Sequence, residues 1–576
     1  MAAAAMLGTA GAAESGHDGA DPDNRIYLKC VGCVLGRLAG ALASAAGVFG
    51  TVGSSGRGAS GNLAGMAEIV DGGVDVRAGL GLACRTLERS GRVLVRVGDG
   101  RPVSIGKGNN LMCRSIGSNH CSKNPIYRMQ RPVIELDELP EDVMEMVFSK
   151  LQFNEMVRTS VLSSKWRHMW TVSSKLSLDC MTICGRRRYF CNKQKFTQKF
   201  IDGVNTVLRQ LCGKVIEEIE VKFEFDSMLV DHLNNWIGFA VSSCVKNLAL
   251  DLAPAQFIGF KDRYSFPIEL FDSASLSRIQ HIQLSCISLK PCSPFRGFPN
   301  LKKLDLHLFD VCGMDLDEML SGCANLEWLS LIRCCVDDDV LKVKQPLPHL
   351  LYLRVAHCRI TKVELRADNL KTFVYHGRQL PIYLGQVNQL ETAELRIYCS
   401  TLEYVLTVLP DVLLGVQNIT LRAYLPLQMP SLLENIGNFS QLRFLQLLLF
   451  ISCSETDNIL SLVSFLRAAP MIEELVMHFD ATCLEGVAWG TLRSLPPCKY
   501  NYLRRVHITG FNGIKGQLEF LVHIVENAPV LKVLTIDPRK KLGLCNCKDS
   551  DFWASRASVR RELERKLLLG TVVNIL

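Results

Sequence analysis

The nine residues LKKLDLHLF, Leu301 to Phe309, decide the architecture, because the pattern Leu301-x-x-Leu304-x-Leu306 returns along the chain. It recurs as Leu326, Leu329, Leu331; as Leu350, Leu353, Val355; as Leu370, Phe373, Tyr375; and as Leu442, Leu445, Leu447. Weaker copies begin at Ile216, Val245, Ile279, Leu390, Val416, Ile472, Leu503 and Leu531. The starts lie about 20 to 34 residues apart, a period that marks a stacked repeat array. The period-two core of each unit predicts a short strand with its fourth and sixth positions buried, and the first position anchors the turn into it. One unit alone buries too little to be stable, so neighbours must stack and both ends need covers.

The third and fifth positions alternate with the buried ones and are expected to face solvent on the concave side. Trp328, Ser330, Tyr352 and Arg354 fall there in consecutive units. Exposed Trp, Tyr and Arg are the residue types that most often dominate an interface. This patch is therefore the candidate contact for a partner protein, with Lys303 and Asp305 at its rim.

The repeats resemble leucine-rich repeats. That resemblance implies a curved parallel sheet with helices outside, over residues 200–490. At the ninth position, where the family uses Asn or Cys to satisfy turn backbone, Cys334 and Cys358 match, whereas Phe309, Phe450 and Phe511 depart from the pattern. Both cysteines are read as buried structural thiols. Further on, Leu503-Arg504-Arg505-Val506-His507-Ile508, Gly510-Phe511-x-Gly513, Leu518-Glu519-Phe520-Leu521 and Glu526-Asn527-Ala528 resemble the FBD domain, except that Gln517 stands where relatives often have Glu. The region 491–576 is read as FBD-like, with a charged helix over 554–569 and a last strand over 571–576 capping the array.

Upstream, LPEDVMEMVFSKLQFNEMVRTSVLSSKWRHMW, Leu139 to Trp170, spells three short helices. Pro140 suits a first helical position, and Glu141 and Asp142 complement the positive helix end. Val143, Val147 and Leu151 recur every four residues, while Met144 and Phe148 form a second stripe. A domain of about forty residues covers only one such face internally, so the other wants a partner. Ser163 or Ser164 can cap a third helix carrying Trp166 and Trp170 at i, i+4.

Leu139-Pro140, Val143, Leu151, Arg158-Thr159-Ser160-Val161-Leu162-Ser163 and Trp166-Arg167-His168-Met169-Trp170 resemble the F-box of large plant families, placed at residues 131–178; Val157 stands where relatives often have Ala. The resemblance implies a hook for a Skp-type adaptor, and through it a cullin, with Leu139, Pro140, Val143, Leu162 and Trp166 at or behind the contact. The protein is thus similar to plant F-box/FBD/leucine-rich-repeat proteins: an α/β chain with a three-helix F-box, an irregular solenoid and an FBD-type end. The implied role is substrate recognition in an SCF-type cullin-RING ubiquitin ligase, with an unknown protein target. A small-molecule-dependent receptor and a repeat scaffold outside any ligase are the alternatives.

Composition is consistent with this. The 576 residues carry 48% hydrophobic side chains and a formal charge of +8. Residues before Gln130 hold 14 Lys and Arg against 9 Asp and Glu, so much of the excess lies outside the repeats. Arg186-Arg187-Arg188 is the one tight basic run and lacks interleaved aromatics, which argues against nucleic acid. Residues 1–130, rich in Ala, Gly and Ser, are expected to be disordered. Within them, Val31–Val52 is interrupted by Arg37, and Gly56–Gly61 fits GxGxxG without the flanking strand and helix a nucleotide loop needs. Val93, Val95 and Val97 suggest one strand with no evident partner.

Met1–Ala13 has neither the basic start nor the apolar core of a secretory signal, so the 23 cysteines are expected reduced, in nucleus or cytoplasm. Cys30 and Cys33 form a CxxC with no second pair to complete a zinc set. The twelve histidines form no HExxH, and Asp337-Asp338-Asp339 reads as a solvated loop. No catalytic residue, metal, cofactor or membrane contact is expected. Ubiquitin transfer would belong to other subunits, and this chain would supply proximity.

Overall fold

A computed structural model describes residues 92–96, 102–106, 134–135, 148, 151, 153–159, 170–171, 173–185, 193–254, 262–290, 295, 297–336, 339–378, 382–385, 387, 389–398, 401–424, 437–451, 453–481, 491–539, 560, 563, 566 and 571–576. They fall into two compact units, Met1–Ala249 and Leu250–Leu576.

In the first unit, Arg92–Arg96 pairs antiparallel with Pro102–Gly106 and parallel with Ile134–Glu135. The valine alternation thus has partners that the sequence did not reveal. Of the predicted three-helix module the structure describes the helix Phe153–Thr159 and the buried side chains Phe148, Leu151, Phe153, Met156, Val157 and Trp170. Phe153 meets Trp170 edge to face at 6.1 Å. Leu139, Pro140, Val143, Leu162 and Trp166 lie outside the described residues, as do Cys30, Cys33, Gly56–Gly61 and Arg186–Arg188.

The repeats begin in this unit with β1 (Lys175–Asp179), whose last residue caps the helix Cys180–Cys184 by accepting from the Met181 and Thr182 N–H groups. The amphipathic helix Lys193–Gln210 then buries Phe196, Phe200, Val204 and Val207, and Phe200 stacks on Phe223 at 4.2 Å. β2 (Glu218–Lys222) pairs parallel with β1. β3 (Asn247–Asp251) straddles the division between the units.

The second unit is the predicted stack. β4 (His281–Ser285), β5 (Lys303–His307), β6 (Trp328–Ile332), β7 (Tyr352–Ala356), β8 (Thr372–Arg378) and β9 (Thr392–Tyr398) pair in parallel, each with the next. The series continues through β10 (Asn418–Tyr424), β11 (Phe444–Ile451), β12 (Glu474–Ala481), β13 (Arg505–Thr509), β14 (Val533–Asp537) and β15 (Val572–Ile575). β15 is the last strand expected from the sequence, whereas most of the helix expected over 554–569 lies outside the described residues.

The register aligns each repeat motif with the next: Leu304, Leu329, Leu353 and Phe373 form one buried row, and Leu306, Leu331, Val355 and Tyr375 the other. Each such side chain stabilises the fold by about 1.5–3 kcal/mol through burial. The return segments are not uniformly helical. Gly313–Ser321, Leu402–Thr407, Val463–Ala468 and Lys515–Asn527 are helices, and Tyr264–Ser265, Ile287–Leu289, Asp310–Val311 and Cys335–Val336 form a ladder of short parallel strands, of which Asp310–Val311 shares its return with the helix Gly313–Ser321. A second ladder joins Val340–Lys342, Lys362–Glu364 and Ile382–Tyr383.

Two features hold the turns. At the eighth position Cys286, Leu308, Arg333 and His357 all take the left-handed conformation, φ 52 to 62°, and Gly510 does the same at 67°. The strain at the non-glycine residues is offset because each N–H continues the ladder: Leu308 donates to Ile332 O at 2.9 Å, Arg333 to Ala356 O at 2.8 Å, His357 to His376 O at 2.6 Å. At the ninth position the thiols of Cys334 and Cys358 donate to Leu306 O and Leu331 O at 3.4 and 3.5 Å, while Phe309 and Phe511 fill the same place by burial. Burial pushes the Cys334 thiol well above its usual value, whereas Cys358, expected to be buried as well, is half-buried and its thiol is lowered by the hydrogen bond with Cys334. A further polar tie sits one residue before the first leucine: Asn300, Asn325 and Asn369 donate side-chain bonds to Ser277 O, Pro299 O and Pro348 O.

The terminal repeat is locked by buried polar groups. Arg493 clasps the fully buried Glu519 carboxylate with contacts of 2.6 to 3.1 Å, and Tyr500 is hydrogen-bonded to His523 at 2.9 Å. Gln517 accepts from the Asn512 N–H and donates to Gly510 O, so its amide closes the loop from both sides. A carboxylate there could only accept.

Candidate functional site

The third, fifth and seventh positions of the strands in the second unit lie on the side opposite the two buried rows. At the third position, Trp328 and Tyr352 are directly opposite in the β6–β7 register and stack with ring centroids 3.5 Å apart and planes 7° from parallel. Both are half-buried. Trp328 Nε1–H donates to Asp305 Oδ1 at 3.2 Å, Lys303 Nζ lies 5.1 Å from the Trp328 ring centre, and Lys303 pairs with Asp305 at 3.0 Å. Lys303 and Asp305 therefore brace the aromatic pair instead of merely rimming it. Burial raises the Tyr352 hydroxyl pKa, with Arg354 pulling the other way.

Ser330 does not belong to the exposed surface: it is only 2% exposed. Its small side chain lies between Trp328 and Ile332 on its own strand and between Asp305 and Arg354 in register, and these larger neighbours cover it. Arg354 is half-buried, as expected for a side chain lying along the face. Three of the four residues proposed from the sequence thus form one continuous surface.

Sequence reasoning missed the seventh and eighth positions. Arg333, His357, His376 and Arg396 gather beside Arg354, and His376 Nε2 lies 3.4 Å from Glu394 Oε1. His357 meets His376 edge to face at 5.6 Å and stacks on Tyr398 at 6.2 Å. Burial lowers the pKa of His357, and Arg333, Arg396 and Arg354 lower it further. Burial and Arg396 likewise lower that of His376, against Glu394. The signal was present, since His376, Arg396 and Arg422 lie in register at the seventh position of successive strands, but the six-residue motif stops short of it. Among the described residues there is no group of His, Cys, Asp and Glu arranged to hold a metal, and no helix long and apolar enough to cross a membrane.

Stacked parallel strands with one side-chain face buried and the other open define a leucine-rich-repeat protein. The family model described as "At1g61320/AtMIF1, LRR domain" matches residues 208–567, and the F-box domain model matches residues 136–177. The chain belongs to the At1g61320/AtMIF1 leucine-rich-repeat family and carries an F-box.

It is similar to several proteins of Arabidopsis thaliana. It is 30% identical over 220 residues to F-box/FBD/LRR-repeat protein At1g13570 of Arabidopsis thaliana, covering 38% of this chain and 48% of that protein. F-box/LRR-repeat protein At3g03360 of Arabidopsis thaliana is 27% identical over 365 residues, 60% of this chain and 70% of the relative. The putative F-box/FBD/LRR-repeat protein At5g62970 of Arabidopsis thaliana is 24% identical over 440 residues, 70% of this chain and 94% of its own length. The alignment with the first of these spans about half of that relative.

Proposed function

We propose that this chain is a non-catalytic substrate-recognition subunit of an SCF-type ubiquitin ligase. The F-box match over residues 136–177 carries the reading. The hook around Leu139, Pro140, Val143, Leu162 and Trp166 engages a Skp-type adaptor and through it a cullin, and the open face around Trp328, Tyr352 and Arg354 holds a target protein. Residues 131–178, 200–490 and 491–576 act as hook, target platform and FBD-like end.

Such a subunit works by local concentration. It fixes a target near a charged ubiquitin thioester, which turns a rare encounter into a frequent one without requiring tight binding. The stacked Trp328–Tyr352 pair supports the platform, because rigid aromatic surface loses little entropy on binding. Co-purification tests the reading: the full chain should retain a Skp-type adaptor, and Leu139→Asp with Pro140→Ala should lose it while keeping the thermal transition of the repeats. Equal retention by both forms refutes the assigned contact.

A further inference from the structure

Beyond the aromatic pair the open face turns cationic. Arg354 is opposite Val374, which is opposite Glu394; one rung along, Ala356, His376, Arg396 and Arg422 run in register. Arg333 and His357 flank this row at the eighth position, and Arg333, Arg354 and Arg396 all act electrostatically on His357. Arg422 lies over the Phe450 ring at 5.2 Å, which leaves Arg354 and Arg396 at the centre of the cluster. The Nε–H groups of Arg354 and Arg396 are buried without a hydrogen-bond acceptor. A buried donor left unpaired is unfavourable, which biases these two guanidinium groups toward taking up an acceptor.

Two carboxylates bound the cluster. Asp305 is engaged by Lys303 and Trp328, and Glu394 is half-exposed beside His376. In the third-strand-position row Asp305, Ser330, Arg354, Val374, Glu394, the guanidinium thus has an acid two strands away on either side. A phosphate backbone laid across the strands would carry negative charge over both acids. A single anionic side chain on a peptide fits between them.

Resting on the target-binding role assigned above, we propose that Arg354 and Arg396 recognise an anionic side chain of the target peptide, phosphoryl or carboxylate, beside the Trp328–Tyr352 stack. Planar guanidinium groups suit both oxyanions, and charge-assisted bonds to them are about twice as strong as neutral ones.

The test uses the full chain and three degenerate peptide pools with phosphoserine, aspartate or serine fixed at the centre. The anionic pools should be retained about tenfold over the serine pool, a difference of about 1.4 kcal/mol. Which anionic pool leads identifies the source of the charge. Arg354→Ala with Arg396→Ala should erase the preference, and Arg354→Lys with Arg396→Lys should keep part of it. Glu394→Gln removes a competing carboxylate from an exposed position and should raise anionic retention, so the proposal stays exposed even if the double alanine variant fails to fold. Equal retention of the three pools, an unchanged preference in a folded double variant, or displacement of the peptides by oligothymidylate at equal concentration overturns it. Loss of adaptor binding with the anionic preference intact would refute the ligase reading alone.

Discussion

Trp328 and Tyr352 stack face to face across neighbouring repeats at 3.5 Å, and the tryptophan is held from behind by Asp305 and Lys303. Such a pair contributes about 0.5–1.5 kcal/mol beyond area burial. A double-mutant cycle in chemical denaturation with Trp328→Ala and Tyr352→Ala should therefore give a coupling energy of that size. The same substitutions should reduce target capture while adaptor binding survives; loss of both activities would show a folding defect instead.

Arg493 and Glu519 lock the C-terminal repeat. Arg493→Ala strands a fully buried carboxylate, with Lys515 Nζ 4.0 Å away as partial compensation, and should cost about 3 kcal/mol. Replacing both partners by methionine should recover most of that loss. A single alanine variant as stable as the wild type in urea would show that the pair is not the lock.

Gly510 and Gly213 both have positive φ, 67° and 80°, but only at Gly510 would an added Cβ run into backbone, the carbonyl of Phe479. Gly510→Ala should lower the melting temperature markedly more than Gly213→Ala. The difference between the two isolates the steric part from the conformational part common to both. Equal shifts would contradict the close approach of β12 and the turn after β13.

Acid should weaken the repeats. Burial lowers the pKa of His523, His376 and His307 below 6.5 in the folded chain, so the unfolded chain binds protons more readily. Stability is therefore full above about pH 6.5 and is lost as pH falls through the lowered folded values, by at most about 1.4 kcal/mol per pH unit for each histidine. His523, bonded to Tyr500 and packed with Asn527, is the clearest case. His523→Gln should flatten the decline in melting temperature between pH 7.5 and 5.5, and an unchanged slope would exclude its contribution.

The stack was legible because its first, fourth and sixth positions must be apolar, so Leu301, Leu304 and Leu306 fix strand, register and buried face together. The expectation of buried structural thiols followed from the same count and holds for Cys334, whereas Cys358 makes the matching bond to Leu331 O but is only half-buried. The short-strand returns were not legible, because two- and three-residue strands such as Asp310–Val311 carry no period. Ser330 was misplaced because alternation predicts direction but not cover: its own neighbours bury it. Of the cationic half of the face only Arg354 was legible, because Arg333, Arg354 and Arg396 come from three repeats and converge only once the register is known.

The central claim is that the segment matching the F-box holds a separate adaptor while the repeats remain free for a target. Mixing the purified chain with a purified Skp-type adaptor and weighing the eluting species by light scattering tests it directly. A one-to-one complex that disappears with Leu139→Asp and Pro140→Ala is the predicted result; two components eluting independently at micromolar concentration would contradict it.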